Sequence, residues 1–168
     1  DQIAYSLDSG ENDGINDPDY LKKVDDFARW YLAQPEVVHV SSFTDVIKRL
    51  NQNMHNDEAQ WYRLPDKRDL IAQYILLYEM SLPYGLDLNN QINTNKSSLL
   101  LRAQVNDQKS KELIALDQRA QTWLTQHAPE LVTPGASLSI MFAHIGQRNI
   151  ESMLVGSLIA LILVTLTL

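Results

Sequence analysis

Residues Ile3, Tyr5 and Leu7 alternate with Gln2, Ala4 and Ser6, and a period of two predicts a strand with one buried face. The stretch DSGENDGINDPD collects Asp, Asn, Gly and Ser, whose side chains compete for backbone hydrogen bonds, so residues 8–19 read as an acidic loop. Asp17 and Pro18 supply an N-cap and a first-turn proline, and Asp19 suits the positive end of a helix dipole, so a helix starts here. Its apolar positions Leu21, Val24, Phe27, Ala28, Tyr31 and Leu32 share one face, and Pro35 stops it. Residues 37–40, Val-Val-His-Val, predict a second strand.

The second half repeats this grammar. Leu99, Leu101, Ala103 and Val105 alternate with Leu100, Arg102, Gln104 and Asn106, which predicts a strand. A helix from Ser110 carries Leu113, Leu116, Ala120, Trp123 and Leu124 on one face and ends near Pro129; Leu138, Ile140 and Phe142 then predict a further strand. Val24-Asp25, Ala28, Tyr31-Leu32, Gln34 and Pro35-Glu36-Val37-Val38 correspond to Leu116-Asp117, Ala120, Trp123-Leu124, Gln126 and Pro129-Glu130-Leu131-Val132, a weak internal duplication. Two βαβ units pack most simply as an α+β fold of ferredoxin-like plan, a four-stranded antiparallel sheet with both helices on one face.

Between the units, residues 45–95 read as a helical insertion: a short helix with Val46, Ile47 and Leu50, the polar loop NQNMHNDEAQ, and a longer helix from about Asp66 to Ser81 closed by Pro83. Leu70, Ile71, Tyr74, Ile75, Leu76, Leu77, Tyr78 and Met80 cover most of that helix's circumference, more than one sheet face can bury. Tyr74, Leu77, Tyr78, Met80 and Tyr84 combine rings carrying hydroxyls with a flexible thioether, a mixture suited to a mostly apolar pocket, and are the candidate cargo or interface residues; the alternative, favoured somewhat over a ligand-facing role, is that this helix is simply core.

After Glu151 no charge follows, and MLVGSLIALILVTLTL (153–168) is apolar on every helical face, unlike an amphipathic interfacial helix. Sixteen residues fall short of the roughly 20 that span a bilayer, which leaves a truncated span or a complete buried core helix as the other readings; a core helix apolar all round needs a larger protein to surround it, so part of a transmembrane helix is expected. A first residue Asp1 with no signal-like segment is expected of a piece of something longer. The expected division is a domain over residues 1–143, then a connecting and transmembrane helix over 144–168.

Composition narrows the chemistry. With 168 residues and 45% hydrophobic content the chain has room for one ordinary domain. A net charge of -7 argues against a nucleic-acid surface, which needs clustered Lys and Arg. Six acids and no base fall in residues 1–20, so the remainder is nearly neutral. Without cysteine there is no disulfide, thiolate metal site or catalytic thiol.

The acidic loop offers Asp8, Glu11, Asp13, Asp17 and Asp19 as hard oxygen ligands, but setting Gly14 at the glycine of a calcium loop puts Ser9 first and Tyr20 twelfth, where a bidentate Glu belongs. A solvated loop is expected instead. His39, His55, His127 and His144 show no zinc spacing, and there is no nucleophile elbow, phosphate loop or dinucleotide fingerprint. No metal, cofactor or enzymatic activity is expected.

NMHNDEAQWYRLPDKRDLIAQYILLYEMSLPYGLDLNNQIN, then SIMFAHIGQRNIESMLVGSLIALILV, together with the YSLDSGE opening, resembles the large soluble loop of exporters of the resistance-nodulation-division (RND) superfamily, MmpL-like branch. The resemblance covers essentially the whole chain. It implies a porter domain on the periplasmic side of the bacterial inner membrane, between the first and second transmembrane helices of a proton-driven exporter of lipids or other amphiphiles. It also implies, as partners, the remaining transmembrane helices, a second periplasmic loop, the lipid bilayer and an amphiphilic cargo. The proton-relay acids of such exporters lie in other membrane helices. Arg148 is the one base between Pro129 and the apolar run, in keeping with a non-cytoplasmic flank. The alternative is a membrane-tethered periplasmic interaction or sensor domain that binds a protein partner.

Overall fold

The structure, a computed structural model, describes residues 1–83, 88–106 and 110–167. Its sheet has three antiparallel strands, β1 (Gln2–Asp8), β2 (Val37–Ser41) and β3 (Ser98–Val105), in the order β1-β3-β2. The register sets Ile3 opposite Ala103, Tyr5 opposite Leu101 and Leu7 opposite Leu99. Since successive side chains alternate between faces, that pairing collects all six on one side, where every one is buried. Ser6 and Gln104 face the other way and are exposed.

Two helices cover the apolar face. α1 (Pro18–Leu32) starts as its sequence predicts, with Asp17 Oδ1 accepting from Asp19 N at 3.0 Å and Pro18 in the first turn. α4 (Ser110–His127) lies beside it. Phe27, Trp30 and Trp123 form the seam, the two indoles stacked at 5.7 Å and Phe27 5.5 Å from Trp123. Tyr20 ties α1 to the sheet: its hydroxyl donates to Leu7 O at 2.6 Å and accepts from Leu99 N at 3.1 Å.

The segment between β2 and β3 contributes α2 (Phe43–Asn53) and α3 (Arg68–Ser81). Ser42 caps α2, and Lys48 joins it to α1 through a 2.7 Å pair with Asp25 that is sheltered on both sides. Ile71, Tyr74 and Ile75 of α3 are buried, so this helix belongs to the core along one face. Asn51 organises the approach: its amide donates to Trp61 O and Arg63 O, each at 3.0 Å, and its carbonyl accepts from Tyr74 Oη at 3.1 Å.

Leu138, Ile140 and Phe142 correct the expectation of a fourth strand, because they form the first turns of α5 (Leu138–Thr167). Three alternating apolar positions are too few to exclude a helix, and Ser137 starts one, its Oγ accepting from Ser139 N at 3.2 Å and its carbonyl from Met141 N at 3.0 Å. Of the three, only Ile140 reaches the core. What pairs with the outer edge of β1 is one bridge, Ala4 N to Ala136 O at 2.9 Å and Ala136 N to Ala4 O at 2.8 Å. α5 runs without a break across position 143/144, where the sequence suggests a division.

Candidate functional site

The candidate residues of α3 separate by exposure. Tyr74 turns inward to Asn51, and Tyr78 is half-buried, its ring 5.9 Å from that of Phe43. Leu77 and Met80 face outward, and Leu76, an apolar position of the same helix outside the five candidates, joins them as an exposed group. Tyr84 lies outside the described residues. The acids of the 8–19 loop are used locally: Asp8 closes the turn at Gly10, Asp17 caps α1, and Glu11 pairs with Arg68 at 3.2 Å.

A second site is assembled where β1, α1, α4 and the start of α5 meet. Tyr5 Oη donates to Asp117 Oδ1 at 2.8 Å, Gly135 N donates to the same oxygen at 2.8 Å, and Gln121 Nε2 donates to Oδ2 at 2.7 Å. Tyr31 Oη lies 3.4 Å from Tyr5 Oη, and with Tyr5 already donating to the carboxylate, Tyr31 is the donor of that longer bond. Gly135 is required by close approach, since a Cβ there would stand 2.7 Å from Asp117 Oδ1 and 2.8 Å from Tyr5 Oη. Burial pushes the Tyr31 phenol up to about 12, with the Asp117 charge adding to the effect. Tyr5 is raised further, by burial first and then by Tyr31 and Asp117.

Over this network opens a groove of about 620 Å³ between α4 and α5. Asp117 and Gln121 line it from α4, Leu138, Ile140 and Met141 from α5. Sequence reasoning missed it. Its one visible signal is that Asp117 falls on the apolar stripe of α4, beside Leu113, Leu116, Ala120 and Leu124, where an acid must find buried donors.

Beyond the groove α5 leaves the domain. Its segment Arg148–Leu166 is 19 residues long with a mean hydropathy of 1.9, and none of it is buried. Compared with protein-family models, with curated proteins and with solved structures, the chain matches none.

Proposed function

We propose that this chain is the periplasmic porter-type domain, joined to a transmembrane helix, of a proton-driven inner-membrane exporter of lipids or other amphiphiles, of the MmpL-like branch of the RND superfamily. The observation that carries the reading is α5, which begins in the core at Ile140 and continues as an apolar helix that nothing covers. Arg148–Leu166 extends for about 28 Å at 1.5 Å per residue, close to the roughly 30 Å of a bilayer's hydrocarbon. Monomeric soluble proteins rarely leave an apolar surface of that extent in water, and such surfaces mark membrane or partner contacts.

Two further features support it. The strand order, with β1 and β2 flanking β3 and the Ala4–Ala136 bridge on the outer edge of β1, is in keeping with a split βαβ plan whose fourth strand is reduced to that bridge. The segments quoted above supply the exporter resemblance itself. On this reading the domain holds or passes cargo, while proton-driven movement is the work of membrane helices outside this chain.

Residues 1–168 contain no cysteine, so one introduced here is unique within this segment, and parallel labelling of the parent protein supplies the background. In intact protein expressed in bacteria, Lys111→Cys is expected to react with a membrane-impermeant maleimide added from the periplasmic side, and Leu158→Cys to react only after solubilisation. Equal labelling of both removes the membrane span. The same cells are expected to retain less of a hydrophobic dye than cells without the protein, and a protonophore is expected to abolish the difference. Correct labelling without dye extrusion removes the exporter and leaves the tethered interaction domain.

A further inference from the structure

The sheltered carboxylates of this protein differ in one respect. Asp25 is matched by Lys48 at 2.7 Å, and Glu36 by Arg119 at 2.7 Å. Asp117 is more deeply buried, with 4% of its surface exposed, and has no cation beside it among the described residues. Its donors are neutral: a phenol, a backbone amide and a side-chain amide. A carboxylate has about four acceptor positions, so three donors leave one free, and among the described residues Oδ2 accepts only from Gln121. A further donor to Asp117 Oδ2 has one side to come from, the groove that Asp117 lines.

The rest of the groove narrows the ligand. Its volume, about 620 Å³, lies within the range for a small-molecule site, roughly 300 to 1,000 Å³. Pro134, Leu138, Ile140 and Met141 give it apolar walls, and Asp117 is the one charged residue among those that line it. Met141 stands seven residues before Arg148 on the same helix, about 10 Å from the start of the exposed apolar segment. A molecule with an alkyl tail therefore has a short path from the bilayer surface.

We propose that this groove binds a cationic amphiphile, its ammonium group on Asp117 Oδ2 and its alkyl chain along Leu138, Ile140 and Met141. The proposal deepens the exporter reading and rests on it for the membrane position of α5, which brings amphiphiles to the groove. Charge selects the head group, and the walls select the tail.

The test uses the full chain, 15N-labelled, in dodecyl maltoside, with octylammonium, octyl sulfate and octyl glucoside as probes. Octylammonium is expected to shift the Gly135 amide resonance and to bind at least about tenfold more tightly than octyl sulfate. Asp117→Asn keeps an oxygen for Tyr5 and Gly135, and a rotated Gln121 amide can accept from its nitrogen, so the variant is expected to stay folded and lose the preference. Met141→Trp fills the groove from its exposed side without touching the buried network, and is expected to weaken octylammonium binding by about fivefold or more.

Equal binding of the two charged probes, a preference that survives in Asp117→Asn, or shifts confined to residues beyond Arg148 each overturn the proposal. If Asp117→Asn fails to fold, Met141→Trp decides, and unchanged binding there overturns it. Labelling of Leu158→Cys in intact cells, with the ammonium preference retained, counts against the membrane reading and leaves the groove assignment standing.

Discussion

Tyr5→Phe removes one oxygen from the centre of the buried network and leaves the ring. The ring keeps its edge contacts with Phe27 and Tyr31, both at 5.4 Å between centroids, so little volume is lost. What goes is the 2.8 Å bond to Asp117 Oδ1, one of three donors to a carboxylate that water scarcely reaches. Hydrogen bonds to charged groups contribute about 1.5 to 3 kcal/mol, and a loss of that size is expected. For a chain of this length it lowers Tm by roughly 3 to 12 °C. Tyr31→Phe removes only a neutral bond of 3.4 Å and is expected to cost about 1 kcal/mol or less. Reversible urea unfolding of the full chain in mild detergent, followed by tryptophan fluorescence, measures both, because Trp123 lies on the same helix as Asp117. A double-mutant cycle with Asp117→Asn isolates the pair, and its coupling energy is expected to approach the loss in Tyr5→Phe. A loss below about 0.5 kcal/mol in Tyr5→Phe, or no coupling in the cycle, refutes the reasoning, since the carboxylate would then draw nothing from that hydroxyl.

Gly135→Ala is expected to destabilise by about 1 to 3 kcal/mol in the same assay, because the new methyl group meets the fully buried Tyr5 ring and the Asp117 carboxylate at under 3 Å. Tyr74→Ala is expected to lose about 3 to 5 kcal/mol as a truncated buried aromatic, while Leu77→Ala and Met80→Ala stay within about 0.5 kcal/mol of the parent, so on the proposed exporter reading a transport defect in the latter two would report on surface contacts. Alkaline pH is expected to unfold the domain. The fold holds Tyr5, Tyr20 and Tyr31 above their ordinary value of 10.0, so the unfolded chain releases these protons first and the stabilisation, complete below pH 10, falls as pH rises towards the folded value of about 12 for Tyr31. Tyr31 alone gives a slope of up to roughly 1.4 kcal/mol per pH unit across that interval, and a flat stability from pH 9 to 12 would contradict it.

The elements that were legible in the sequence are those whose signals are local. β1 and β3 announce themselves by an apolar, buried residue at every second position, and α1 by Asp17 and Pro18. The expected strand at Leu138, Ile140 and Phe142 failed because the competing helical signal came from beyond the window, in the apolar run that α5 continues. α3 was legible as a helix, but its circumference of apolar residues gave no direction. The structure turns Ile71, Tyr74 and Ile75 inward and leaves Leu76, Leu77 and Met80 outside. The buried network could not be read as a unit, since Tyr5 and Asp117 are 112 positions apart and are brought together by β1 and α4 packing on the same face. Asp117 and Asn51 each left a trace as a polar residue on an apolar helical stripe, which marks a buried partner without naming it.

α5 is a lever with a short arm inside the domain and a long arm outside it. Ile140 is its buried foothold, and the helix continues from there to Thr167 without proline to bend it. With about 40 Å of helix beyond the foothold, a 10° change of tilt moves the far end by roughly 7 Å and the wall at Leu138 and Met141 by less than about 1 Å. Large excursions of the outer arm thus reach the groove as fine adjustments of its width. A ligand wedged against Met141 would, by the same leverage, bias the angle at which the rod stands.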